Sequence, residues 1–135
     1  MSYPITDIGE VDGDVATLLK SAGIRSTARL LERACTVGKR KLLAQETGID
    51  AKTLLCWANV ADRMRVRGIS KEYAELLAAA GVETVKDLKH RNAANLAKAL
   101  ADANKKRKLV RLVPSERVVA RWIESAKALP LKIKY

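Results

Sequence analysis

Apolar positions recur along this chain at helical spacing, and the glycines fall where helices would stop. Val15, Leu18, Leu19 and Ala22 follow the i, i+3, i+4, i+7 pattern of one buried helical face. Gly13 or Asp14 would open that helix, and Gly23 would end it as a left-handed C′ residue. Ser26 can cap a helix carrying Leu30, Leu31 and Ala34, and Gly38 separates it from a segment over 39–46 that Gly48 ends. Asp50 caps a helix with Leu54, Leu55, Trp57, Ala58 and Ala61. The second half repeats the plan. Ser70 is placed to cap a helix over 71–80 that Gly81 stops, and Thr84 starts a short helix ending near Lys89. Asn92 opens a helix over 93–103, the stretch 105–113 is basic and ambiguous, and Ser115 caps a last helix that Pro130 ends. The predicted core is Leu18, Leu19, Leu30, Leu54, Trp57, Leu76, Leu77, Leu88, Leu96, Leu100, Trp122 and Ile123.

The parallel between the halves extends to residues. With Gly23 laid on Gly81, Ala16 falls on Ala74, Leu18 and Leu19 on Leu76 and Leu77, and Leu30 on Leu88, without a gap. Trp57 and Trp122 take equivalent places near the ends of the two halves and read as core anchors. That match requires about seven extra residues in the second half, most naturally around Lys105-Lys106-Arg107-Lys108. The expectation is an all-α fold of two duplicated halves, 1–62 and 63–135, packed as one compact helical domain.

Composition sharpens this picture mainly through charge. The 135 residues carry a formal net charge of +11. Residues 1–62 hold 8 basic and 8 acidic side chains, whereas 63–135 hold 18 and 7, so the whole excess lies in the second half. Such an imbalance points to acidic partners, nucleic acid first among them. There is no Phe, and strand signals are thin. No stretch approaches the ~18 apolar residues that span a bilayer, and Ser2–Asp7 lacks the basic and apolar regions of a secretory leader. A cytoplasmic protein with no membrane partner is expected. Cys35 and Cys56 sit inside apolar helical patterns and read as two buried thiols rather than a disulfide or a metal site.

The motif with chemical content is the turn entering the helix at Lys71. Val66-Arg67-Gly68-Ile69-Ser70-Lys71-Glu72-Tyr73-Ala74, followed by Leu76-Leu77 and Ala80-Gly81-Val82, resembles a helix-hairpin-helix element. Along its whole length the chain is similar to a family of small bacterial proteins built from such elements in tandem, a domain of unknown function. The resemblance implies a turn whose backbone amides, with the helix N-terminus behind them, approach a phosphate. Gly68, Ile69 and Ser70 would shape that cradle, and Arg63, Arg65, Arg67 and Lys71 would supply charge. Ser70 stands where the family has a second glycine. In the first half Glu10 and Asp12, with Asp14 beside them, occupy the equivalent positions and would repel a phosphate. They can instead stabilise a helix N-terminus.

Lys105, Lys106, Arg107 and Lys108 either extend the phosphate track or form a solvated connector. Lys39-Arg40-Lys41 reads as the exposed start of a helix. His90, the single histidine, lies between Lys89 and Arg91 in a polar stretch and reads as a surface residue. No phosphate-binding glycine loop of nucleotide enzymes, dinucleotide fingerprint or metal-ligand spacing is present. The expectation is therefore a protein that is not an enzyme and uses no cofactor or metal. It would bind nucleic acid, DNA rather than RNA, without reading sequence. The rival is a protein–protein adaptor whose partner docks on the neutral first half.

Overall fold

In the computed structural model, which describes residues 2–135, secondary structure among the described residues is helical apart from a single bridge between Pro4 and Ser26. A 3₁₀ turn over Ile5–Asp7 precedes α1 (Gly13–Ser21), α2 (Thr27–Arg33), α3 (Val37–Thr47) and α4 (Ala51–Arg63). Then follow α5 (Lys71–Ala79), α6 (Val85–Leu88), α7 (Ala93–Arg107) and α8 (Glu116–Ala128). By its internal packing the chain divides into two compact units: Met1–Arg65 with Lys132–Tyr135, and Val66–Leu131. The division falls slightly later than the charge split, and the last four residues return to unit 1.

In unit 1, α4 packs on α2 and α3 around a core that includes Ile5, Leu19, Leu30, Leu43, Leu54 and Trp57. In unit 2, α8 packs on α6 and α7, and α5 on α7, burying Leu76, Leu77, Leu88, Leu100, Trp122 and Ile123. The two units share local solutions. α1 and α5 are nine residues each, and α4 and α8 thirteen each, with the tryptophan at the seventh place. α1 ends on Gly23 at φ +86°, where the Gly23 N–H donates to Lys20 O and the Ile24 N–H to Leu19 O. α5 ends on Gly81 at φ +93°, where the Gly81 N–H donates to Ala78 O and the Val82 N–H to Leu77 O. Both are complete Schellman stops, which only glycine adopts cheaply. An arginine seals each: Arg33 donates to Ala22 O at 2.8 Å, and Arg91 to Gly81 O at 3.1 Å. Arg91 also forks onto the Asp87 carboxylate, and that hydrogen bond raises its pKa above the ordinary guanidinium value.

Several sequence expectations are corrected by this packing. Leu18 is 43% exposed while Leu19 is fully buried, because α1 turns only one narrow stripe to the core. Gly38 lies inside the first turn of α3, whose cap is Thr36, accepting from the Lys39 N–H. Cys56 is exposed and Cys35 half-buried, so they are not a pair of buried thiols. Leu54, Trp57, Ala58 and Ala61 form the buried stripe of α4, and Cys56 lies off it. Arg40 is not part of an exposed helix start: it is buried and donates to Ala34 O and Lys134 O, both at 2.8 Å. With the Lys134 N–H on Cys35 O at 2.7 Å, Arg40 fastens the C-terminal residues to unit 1. The helix opened by Asn92 runs to Arg107, so three of the four residues of the basic cluster are helical.

The neighbouring leucines of α1 give a direct test. Leu19→Ala should cost about 2–5 kcal/mol of unfolding free energy, and Leu18→Ala less than about 0.5 kcal/mol, read from urea denaturation of each variant.

Candidate nucleic-acid interface

The residues singled out as nucleic-acid contacts separate into structural and available groups. Arg63 is 3% exposed at the end of α4, its charge withdrawn from solvent into unit 1. Arg65 forks onto Asp62, Nε at 3.0 Å and a terminal nitrogen at 2.7 Å from the same oxygen, with both side chains largely buried. These two arginines brace the end of unit 1, which corrects their assignment as phosphate contacts. Arg63, Arg65 and Arg67 stand at alternate positions in the sequence. Helix α4 continues through Arg63 and breaks that alternation.

Arg67, in unit 2, is exposed. It sits in a tight turn closed by the Ile69 N–H donating to Val66 O at 3.1 Å. Gly68 is the third residue of that turn at φ +93°, a left-handed position that favours glycine. Ile69 is fully buried and pins the turn. Its amide is committed to Val66 and so does not face outward. Ser70 occupies the N-cap position of α5 in extended conformation, yet its hydroxyl accepts no cap hydrogen bond. Lys71 is half-buried at the first position of α5. Lys105, Lys106 and Arg107 form the exposed last turn of α7, where cations complement the helix dipole. Lys108 follows at φ 50°, closing the helix through its N–H on Asn104 O. The connector after it is held, not loose: Asn104 exchanges two hydrogen bonds with Val110, and the Tyr73 hydroxyl donates to Leu112 O at 3.1 Å.

The turn's neighbour is α8. Arg67 and Gly68 line a cleft of about 790 Å³ together with Arg117, Val118, Ala120, Arg121, Trp122, Glu124 and Ser125. Among the described residues Arg67, Arg117 and Arg121 have no carboxylate within ion-pair distance, whereas Glu124 is paired with Lys127 at 3.1 Å. Arg117 and Arg121 were missed in the sequence. Their signal was available: one turn apart on one helix, five residues and one residue before the second tryptophan.

A Cβ placed on Gly68 would stand 3.1 Å from Trp122 Nε1. The turn thus lies close against the indole edge: the left-handed φ favours glycine there, and a Cβ would fit only if the ring gave way by a few tenths of an ångström. Unit 1 handles the same junction differently. Its turn closes with the Val11 N–H on Ile8 O at 2.9 Å, and its third residue is Glu10. The Glu10 carboxylate accepts the Trp57 indole N–H at 3.1 Å. The acids at this first turn are therefore not merely helix-dipole partners, because one of them satisfies the tryptophan.

Substituting the glycines separates the two demands on Gly68. Gly23→Ala, with open space around it, should cost about 1–2 kcal/mol from left-handed strain alone. Gly68→Ala should cost more than Gly23→Ala in the same thermal or urea unfolding measurement. It should also shift the tryptophan emission maximum, which Gly23→Ala leaves unchanged.

Neither the curated proteins nor the solved structures gave a match to the chain. A protein-family model described as Domain of unknown function (DUF4332) matches residues 10–129, and the chain belongs to that family.

Proposed function

We propose that this protein is a non-enzymatic nucleic-acid-binding module. In this reading unit 2 grips the phosphate backbone of duplex DNA without reading sequence. The observation that carries it is the convergence of Arg67, Arg117 and Arg121 around one cleft beside the turn at Gly68, none of them ion-paired among the described residues. The helix-hairpin-helix resemblance of Val66–Val82 supports it, as does the concentration of the net charge in residues 63–135. The duplication of the two halves, supported by their matching helix lengths and stops, gives the arrangement a logic. One copy keeps a neutral balance with Glu10 and Asp12 at its turn, and the other carries the cations. Phosphate contacts of this kind position a protein on the backbone and carry no sequence information.

The direct test is binding of a fluorescent ~20-base-pair duplex at several salt concentrations. Four contacts, from Arg67, Lys71, Arg117 and Arg121, give a slope of log K against log salt of about −3.6, hence roughly a 10²-fold loss between 50 and 200 mM. Arg67→Gln with Lys71→Gln should flatten that slope by about 1.8. Duplexes of unrelated sequence should bind alike. Absence of binding at 50 mM overturns the proposal.

A further inference from the structure

We infer that the cleft between the Gly68 turn and α8 is a seat for one phosphate group, with the Trp122 indole N–H as the hydrogen-bond donor and Arg67, Arg117 and Arg121 as counter-charges. This rests on the nucleic-acid reading for the source of the phosphate, but the seat itself is argued from the geometry.

Trp122 is 3% exposed, and among the described residues no acceptor engages its Nε1. A buried donor without a partner is costly, about 1–3 kcal/mol, and native interiors avoid it. Among the described residues, no buried side-chain nitrogen or oxygen is left unpaired. The Trp122 N–H must therefore reach the surface, and the surface it reaches is the cleft it lines. At position 68 the neighbouring turn brings no side chain to the indole nitrogen, where a Cβ would stand at 3.1 Å.

Unit 1 identifies the chemistry that suits such a donor. At the same step of its own turn, Glu10 brings an anionic oxygen to the Trp57 N–H at 3.1 Å. A charged acceptor makes a stronger bond to an indole N–H than a neutral one. In unit 2 the internal carboxylate is replaced by glycine, and three guanidinium groups stand around the cleft. Five residues and one residue before Trp57, unit 1 carries Lys52 and Cys56 instead of two arginines. The exchange is coherent: where the chain sets its own anion on the indole N–H it has one cation at these two positions, and where it sets none there it has two, with Arg67 as a third and the cleft's one carboxylate, Glu124, paired with Lys127. Guanidinium forks favour phosphate and carboxylate oxygens over chloride. The Tyr73 ring, tilted at 5.2 Å from the Trp122 ring, packs against the indole.

The chain has two tryptophans, so its ¹⁵N-correlated spectrum holds two indole N–H signals, and Trp57 is an internal control. The protein is titrated with inorganic phosphate against chloride at matched ionic strength, then with the ~20-base-pair duplex. The expected result is a saturable shift of the Trp122 signal with both probes while the Trp57 signal holds. Arg117→Gln with Arg121→Gln, both at exposed positions, should weaken phosphate binding at least 10-fold with the two indole signals of the free protein in place. A duplex that binds without moving the Trp122 signal overturns the seat and leaves the nucleic-acid reading standing. A Trp122 shift with inorganic phosphate but no duplex binding keeps the seat, assigns it to free phosphate, and overturns the nucleic-acid reading. A Trp122 signal unmoved by either probe overturns the seat.

Discussion

A buried tryptophan brings a large apolar surface into a small helical unit together with one polar hydrogen that must be answered, and both units of this chain are organised around that demand. In each, the tryptophan is the seventh residue of a thirteen-residue helix, and a tight turn ahead of the unit's first nine-residue helix meets its indole edge. The turn is fixed by an apolar residue on either side, Ile8 and Val11 in one unit, Val66 and Ile69 in the other, all essentially fully buried. Everything between those anchors can vary only if the indole N–H remains satisfied. Glu10 satisfies it from within. Gly68 leaves it to the cleft.

The same distinction runs through the basic residues. Arg33, Arg65 and Arg91 are committed to carboxylates, and Arg33 and Arg91 also to the carbonyls that end α1 and α5. Arg40 is committed to two backbone carbonyls. These four stabilise structure, because a buried or half-buried guanidinium left without acceptors would cost more than its packing returns. The count of 26 basic side chains therefore overstates how many a polyanion could meet. What remains at the cleft is Arg67, Arg117 and Arg121, and at the end of α7 the cluster from Lys105 to Lys108. Net charge told where an acidic partner would be directed, but not which arginines were at liberty to meet it.

Much of the fold was legible because helix punctuation is a local matter. Gly23, Gly48 and Gly81 were readable as stops, since left-handed backbone at a helix end has few other solutions. Ser26, Thr84, Asn92 and Ser115 all accept the expected amide hydrogen bond. Where the sequence misled, the cause was tertiary. Leu18 and Leu19 look alike in a helical pattern, and only the position of neighbouring helices decides which is buried. Arg63 and Arg65 read as suppliers of charge because nothing local says that Arg63 is buried at the end of α4 and that Arg65 turns back onto Asp62. Arg40 is hidden for a similar reason: its partner carbonyl at Lys134 is 94 residues away. The link between Glu10 and Trp57 spans 47 residues and was equally out of reach of a local reading.

The proposed phosphate seat shows why function is harder to read here than fold. All of its members but Arg67 lie on α8, the helix that also supplies Val119, Trp122, Ile123 and Ala126 to the core of unit 2. Arg117 and Arg121 fill the polar side of an amphipathic helix, which is what any surface helix would show, and Trp122 fills its apolar side. No residue in the set departs from what folding alone would select. The departure lies in a missing side chain, the glycine at position 68, and it becomes visible only against the glutamate that takes its place in the first unit. The parallel between the two units makes that comparison possible, since one sets a carboxylate on its indole N–H where the other has glycine.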